Sequence, residues 1–144
     1  MNKTALLFLS GLFLTACQSH SGLQGTWQLV SAKTNENGKE TLDTHDGKKM
    51  LKMLNDTHFS FLDHDLKGGK DSTSAAFTAG GGSYTLEGDQ YTEHLDYCSY
   101  RPWEGKSFTF TVRIQNDTLI QTGKEQIKEL GIDRIITETY VRVK

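Results

Sequence analysis

The chain has 144 residues and a formal charge of −2, enough length for one domain with a single core. There is no basic excess to hold phosphates, so a nucleic-acid partner is not expected. Charged residues are spread along the chain, which argues against a long disordered tail.

Met1 to Thr4 carries one positive charge, Lys3, and Ala5 to Leu14 is an apolar run of ten residues. A membrane-spanning helix needs about 20, whereas ten suits the apolar region of an export signal. Leu14-Thr15-Ala16-Cys17 resembles a bacterial lipobox, in which small residues precede a cysteine that is acylated and becomes the new N-terminus. The resemblance implies a signal peptide over 1–16, a lipidated tether over 17–22 and a folded domain over 23–144. Several acyl chains on Cys17 exceed the single-chain limit for reversible anchoring, so membrane attachment is stable. Gln18 stands where an inner-membrane retention signal carries Asp, which implies the outer membrane, with the domain on its periplasmic or surface face. Loss of Lys3 with the signal takes the charge from −2 to −3. One thiol remains, Cys98. It has no partner for an internal disulfide and reads as a small packed residue.

From Gly25 onward, short runs rich in Val, Ile, Thr, Tyr and Phe alternate with turn residues, and Pro102 is the one proline. That is an all-β pattern. Thr26–Lys33 opens the series and Asn35–Gly38 ends the first strand. Asn55-Asp56-Thr57 separates Met50–Leu54 from His58–Leu62. Lys67–Ala79 reads as a loop with a weak helical turn, followed by a flexible Gly80-Gly81-Gly82. Gly88-Asp89 joins Ser83–Glu87 to Gln90–Tyr97, and Asn116-Asp117-Thr118 joins Ser107–Ile114 to Leu119–Gln121. Lys124–Leu130 is either one helical turn or a polar edge strand, and Arg134–Val143 is the last strand. Eight to ten sequential strands with tight turns predict a single up-and-down antiparallel β-barrel, since closure removes both sheet edges.

Alternation sorts the faces. Phe108, Phe110, Val112 and Ile114 share one; Tyr91, Glu93, Leu95 and Tyr97 share another; Ile136, Glu138, Tyr140 and Arg142 share a third. Two of these mix aromatic, aliphatic and carboxylate groups. A solid core does not favour that mixture, because a buried carboxylate without a partner is costly. A wet, partly polar cavity accepts it.

Gly25-Thr26-Trp27 resembles the Gly-x-Trp signature of lipocalins and their fatty-acid-binding relatives. Thr78–Glu93, Gly105–Phe110 and Glu138–Lys144 narrow the match to a lipocalin-like family of bacterial exported domains of unknown function. The resemblance covers nearly all of Leu23–Lys144. It implies a calycin barrel in which Trp27 closes the base next to Gly25, with Arg142 lying across its ring. Fatty-acid-binding relatives hold a carboxylate with an Arg-x-Tyr pair on the last strand. This chain has Glu138-x-Tyr140 there, which repels such a head group and suits a polyol, a sugar or a cation better.

The candidate ligand-lining residues are therefore Tyr84, Tyr91, Glu93, Tyr97, Phe110, Glu138 and Tyr140. Trp103, after Pro102, either packs at the barrel mouth or is exposed for contact. No catalytic residues, cofactor or metal are expected. Gly-x-Ser-x-Gly is absent, and Gly80–Gly82 lacks the lysine and helix of a phosphate loop. Asp63-His64-Asp65 alternates faces, which seldom lets neighbours share one ion. Glu93 and Glu138 would form a glycosidase pair only if their strands lay close across the barrel. The expected partners are a small-molecule ligand and the membrane. The opposing possibility is a solid barrel that docks on, or inhibits, another envelope protein.

Overall fold

The computed structural model of the protein describes residues 22–144. The expected signal over 1–16, the lipidation site Cys17 and the tether as far as residue 21 lie outside the described residues. Nine strands follow in chain order: β1 (Gly25–Glu36), β2 (Lys39–Asp43), β3 (Lys48–Leu54), β4 (His58–Asp65), β5 (Phe77–Glu87), β6 (Gln90–Cys98), β7 (Lys106–Gln115), β8 (Thr118–Ile127) and β9 (Ile132–Arg142). Short 3-10 turns cover Arg101–Trp103 and Lys128–Leu130.

Neighbouring strands pair antiparallel from β3 to β9, and β9 returns to pair with β1 over Trp27–Glu36. Eight strands thus close an up-and-down barrel, as the turn spacing predicts. The turns use the expected chemistry. Asn55 accepts the amides of Thr57 and His58 at 2.9 and 2.8 Å, fixing the β3–β4 hairpin through its side chain. Asn37 and Gly38 both have positive φ, 52° and 76°, the twist that a two-residue hairpin needs.

That hairpin adds β2, a strand the sequence pattern did not reveal. It pairs with β1 from Ala32 to Glu36, while β3 takes the same edge of β1 from Gly25 to Gln28. Every β2 residue is exposed. With no buried face, it leaves no alternation to read.

Gly80-Gly81-Gly82 corrects a second expectation, since these residues lie inside β5 rather than in a flexible loop. Side chains have no room there. A Cβ on Gly80 would stand 2.6 Å from the Phe61 ring and 2.7 Å from the Tyr97 carbonyl, and one on Gly82 would overlap the His94 carbonyl. The glycines let β5 pass close to β6 at a bulge, where Gly81 faces Tyr97 and Gly82 faces Leu95, leaving Asp96 as the extra residue. Before β5, Asp65 accepts the amides of Lys67, Gly69 and Ala76 at 2.9–3.1 Å. These bonds hold its carboxyl below the usual aspartate range. Lys124 to Ile127 continues β8 as a strand, and the helical turn begins only at Lys128.

Candidate functional site

One end of the barrel is shut by Trp27, Arg142 and the chain entering β1. Trp27 on β1 is fully buried, and its indole Nε1 donates to the Leu23 carbonyl at 2.8 Å. The Arg142 guanidinium carbon, on β9, lies 4.0 Å from the centre of the Trp27 rings. Its two amino groups donate to the carbonyls of Gly22 and Gln24 at 2.7 and 2.8 Å. Gly25 has φ 129°, and a Cβ on it would stand 2.6 Å from Arg142 Nη1. The guanidinium occupies the space that a side chain at position 25 would need.

Above this base is a cavity of about 520 Å³, within the range of small-molecule sites. Its walls are apolar, with Phe61 (β4), Leu95 (β6), Phe108 and Phe110 (β7) and Ile136 (β9). Its mouth is framed by Met50, Asp63, Thr78, Tyr100, Trp103 and Arg134. Trp103 packs on Phe108 with ring centres 5.5 Å apart and carries the Arg134 guanidinium 5.8 Å from its own ring centre. It is therefore a packed mouth residue that also lines the cavity. Asp63 receives the His45 imidazole, whose Nε2 lies 3.0 Å from Asp63 Oδ1.

The floor is polar. Lys52, on β3, is buried and forms an ion pair with Glu93 on β6. Its ammonium also donates to Gln121 Oε1 at 3.0 Å and lies 5.5–5.7 Å from the ring centres of Phe59, Tyr91 and Tyr140. Gln121 Nε2 donates to Glu138 at 2.9 Å, and the Tyr140 hydroxyl donates to the same oxygen at 2.9 Å. Nearer the mouth, Arg134 grips Glu125 at 2.6 Å. Among the described residues the interior ion pairs are therefore Lys52 with Glu93 and Arg134 with Glu125, while the His45 imidazole stands on Asp63. Glu138 is held by neutral donors alone.

Burial sets the protonation behaviour of this floor. It raises the Glu138 carboxyl above its ordinary value; Lys52 opposes the shift, and Glu93 and Glu125 reinforce it. Burial likewise raises Glu125 against the pull of Arg134. The Tyr91 and Tyr140 phenols are pushed far up, first by burial and then by the neighbouring carboxylates.

Of the residues named from sequence, Glu93, Phe110, Glu138 and Tyr140 come together around the cavity. Tyr84 and Tyr91 are buried beside one another, ring centres 5.2 Å apart, outside the lining. Tyr97 is a correction. It is 73% exposed on the outer surface, because the extra residue Asp96 reverses the alternation and turns Cys98 inward instead. Sequence reasoning missed Lys52, Gln121, Glu125 and Arg134. For Lys52 a signal existed, since it shares a face with Met50 and Leu54 in an otherwise apolar run. Among the described residues, no group of three or more His, Cys, Asp or Glu is placed to hold a metal ion.

In fold, the barrel is similar to the crystal structure of an uncharacterized protein from Bacteroides eggerthii DSM 20697, with a TM-score of 0.52. That match has 13% sequence identity over 83% of this chain and 98% of the other, so the likeness shows the fold alone. No curated protein matches the chain. A family model does match, over residues 22–144, and the chain belongs to that family, described as Domain of unknown function (DUF4488).

Proposed function

We propose that this protein is a lipid-anchored envelope protein that binds a small amphiphilic or polar ligand inside a lipocalin-like barrel. The observation that carries the reading is the cavity of about 520 Å³, with its apolar wall above a hydrogen-bonded polar floor. A barrel built only for stability would fill that space, because each unfilled methyl-sized void costs about 1 kcal/mol. The Gly-x-Trp turn and the arginine across the tryptophan support the lipocalin-like assignment. The lipobox at Cys17 supports the anchor, and Gln18 the outer membrane. Glu93, Phe110, Glu138 and Tyr140 are the proposed lining from the sequence set, joined by Lys52 and Gln121.

Docking on another envelope protein is the second reading. Its supporting observation is the outward exposure of Phe77 and Tyr97, 66% and 73%. Native mass spectrometry of the protein, purified gently from its envelope, separates the two. A ligand-binding barrel shows an additional mass that is lost on denaturation. A bare mass, together with a co-purifying protein that Tyr97→Ser releases, would support docking instead.

A further inference from the structure

We propose that the head group this cavity selects is a single organic cation, an ammonium that pairs with Glu138 while its apolar tail lies along the wall. The inference rests on the ligand-binding reading above and names the chemistry of that site.

The inference rests on charge pairing within the cavity. Six acidic or basic side chains from β3, β4, β6, β8 and β9 line the cavity: Lys52, Asp63, Glu93, Glu125, Arg134 and Glu138. Both cations are engaged, Lys52 by Glu93 and Arg134 by Glu125, and His45 stands on Asp63. Glu138 is left with two neutral donors, Gln121 and Tyr140, both on the same oxygen, Oε2. Its other oxygen has no hydrogen bond among the described residues.

An anionic head is disfavoured, because it would meet Glu93 and Glu138 with no free cation to receive it. A neutral hydroxyl can bind but leaves the Glu138 charge uncompensated. An ammonium compensates it, and the apolar lining beside Glu138, Phe110 and Ile136 among it, receives the tail. Glu138 lies on β9 against β1 and β8, where Ala32 and Gln121 are its cross-strand neighbours. Its nearest cation is Lys52, which is already engaged.

The test titrates the full-length protein calorimetrically with three probes that share one tail: hexylammonium, hexan-1-ol and hexanoate. The expected result is hexylammonium binding at least tenfold tighter than hexan-1-ol, and hexanoate weakest. Glu138→Gln should reduce hexylammonium to about the affinity that the same variant shows for hexan-1-ol. The wild-type comparison stands even if that variant fails to fold. Equal affinity for amine and alcohol, or hexanoate binding best, overturns the cation inference and leaves the ligand-binding reading intact. Absence of binding by all three probes overturns both.

Discussion

Lys52 and Glu93, 41 residues apart in the chain, form a buried ion pair that spans the barrel interior from β3 to β6. Both side chains are nearly removed from solvent, 3% and 11% exposed, so each depends on the other for compensation. Removing one partner strands a buried charge and costs about 3–5 kcal/mol, whereas replacing both by apolar groups of similar size is far milder. Lys52→Met should therefore lower unfolding free energy in urea by about 3–5 kcal/mol. The Lys52→Met/Glu93→Leu double variant should recover most of the loss. A double variant as unstable as the sum of both singles would show that the two side chains act independently.

Arg142 works on Trp27 through its ring and on Gly22 and Gln24 through its donors. Arg142→Met keeps much of the volume but loses the charge and both hydrogen bonds. The expected loss is about 1–3 kcal/mol, from a cation–π contact of about 0.5–2 kcal/mol and the bonds. Gly25→Ala should destabilise as well, since its Cβ would collide with the guanidinium. Combining the two should be less than additive, because Arg142→Met removes the atom that the new methyl strikes. Thermal unfolding of the four proteins in the cycle checks this.

The parts of this fold legible in sequence are those where alternation runs unbroken. Phe108 and Phe110 face inward from β7, and Ile136, Glu138 and Tyr140 from β9, as their spacing requires. Tyr97 fails because the pleat is interrupted one residue earlier, at Asp96, and a bulge leaves no composition signal of its own. β2 was invisible because it buries nothing. At the site, the carboxylates Glu93 and Glu138 could be picked out as oddities on mixed faces. Lys52 could not be joined to Glu93 by any local rule, since the pairing exists only when the barrel closes.

The bulge makes a direct prediction about glycine. Gly82→Ala places a methyl against the His94 carbonyl and the Asp96 amide, so the strands must separate or the register must shift. A loss of more than about 3 kcal/mol, or failure to fold, is expected. Gly88→Asn, in the β5–β6 turn at φ 64° with open space around it, should cost no more than about 1 kcal/mol, because Asn tolerates the left-handed region. Similar losses at the two positions would contradict the close-approach account.

The lipobox reading predicts a fate for Cys17 that the barrel does not share. Cys17→Ser should abolish incorporation of labelled palmitate and move the chain from the membrane fraction to the soluble periplasmic fraction. Its urea midpoint should match that of the wild-type domain, since the core cluster begins at Leu23, beyond the expected tether. Retained label in the variant would place the acylation on another residue and overturn the lipobox reading.

Glu138 gives the barrel a pH dependence whose sign follows from burial. Its carboxyl is raised above the ordinary 4.5 in the folded state, so the folded chain binds that proton more tightly than the unfolded chain. The associated stability is full below about pH 4.5 and is lost as pH rises through the folded value. Each unit of elevation is worth about 1.4 kcal/mol. Glu125 is raised as well and slopes the same way. The exposed carboxylates Asp71, Asp117 and Asp133 are lowered by their partners and act only at the acid end. Glu138→Gln removes one ionisation while keeping an acceptor for Gln121 and Tyr140. The variant should gain stability relative to wild type as pH is raised above about 4.5, and the gap should level off once pH has passed the folded carboxyl's own titration. Unfolding free energies measured across that range decide it. A gap that stays constant would mean that Glu138 titrates in the folded barrel as it does in the unfolded chain. A gap that widens and then levels identifies the folded carboxyl's own titration range. The same titration, repeated with hexylammonium bound, should show the carboxyl ionising at lower pH, since a cation beside it favours the charged form.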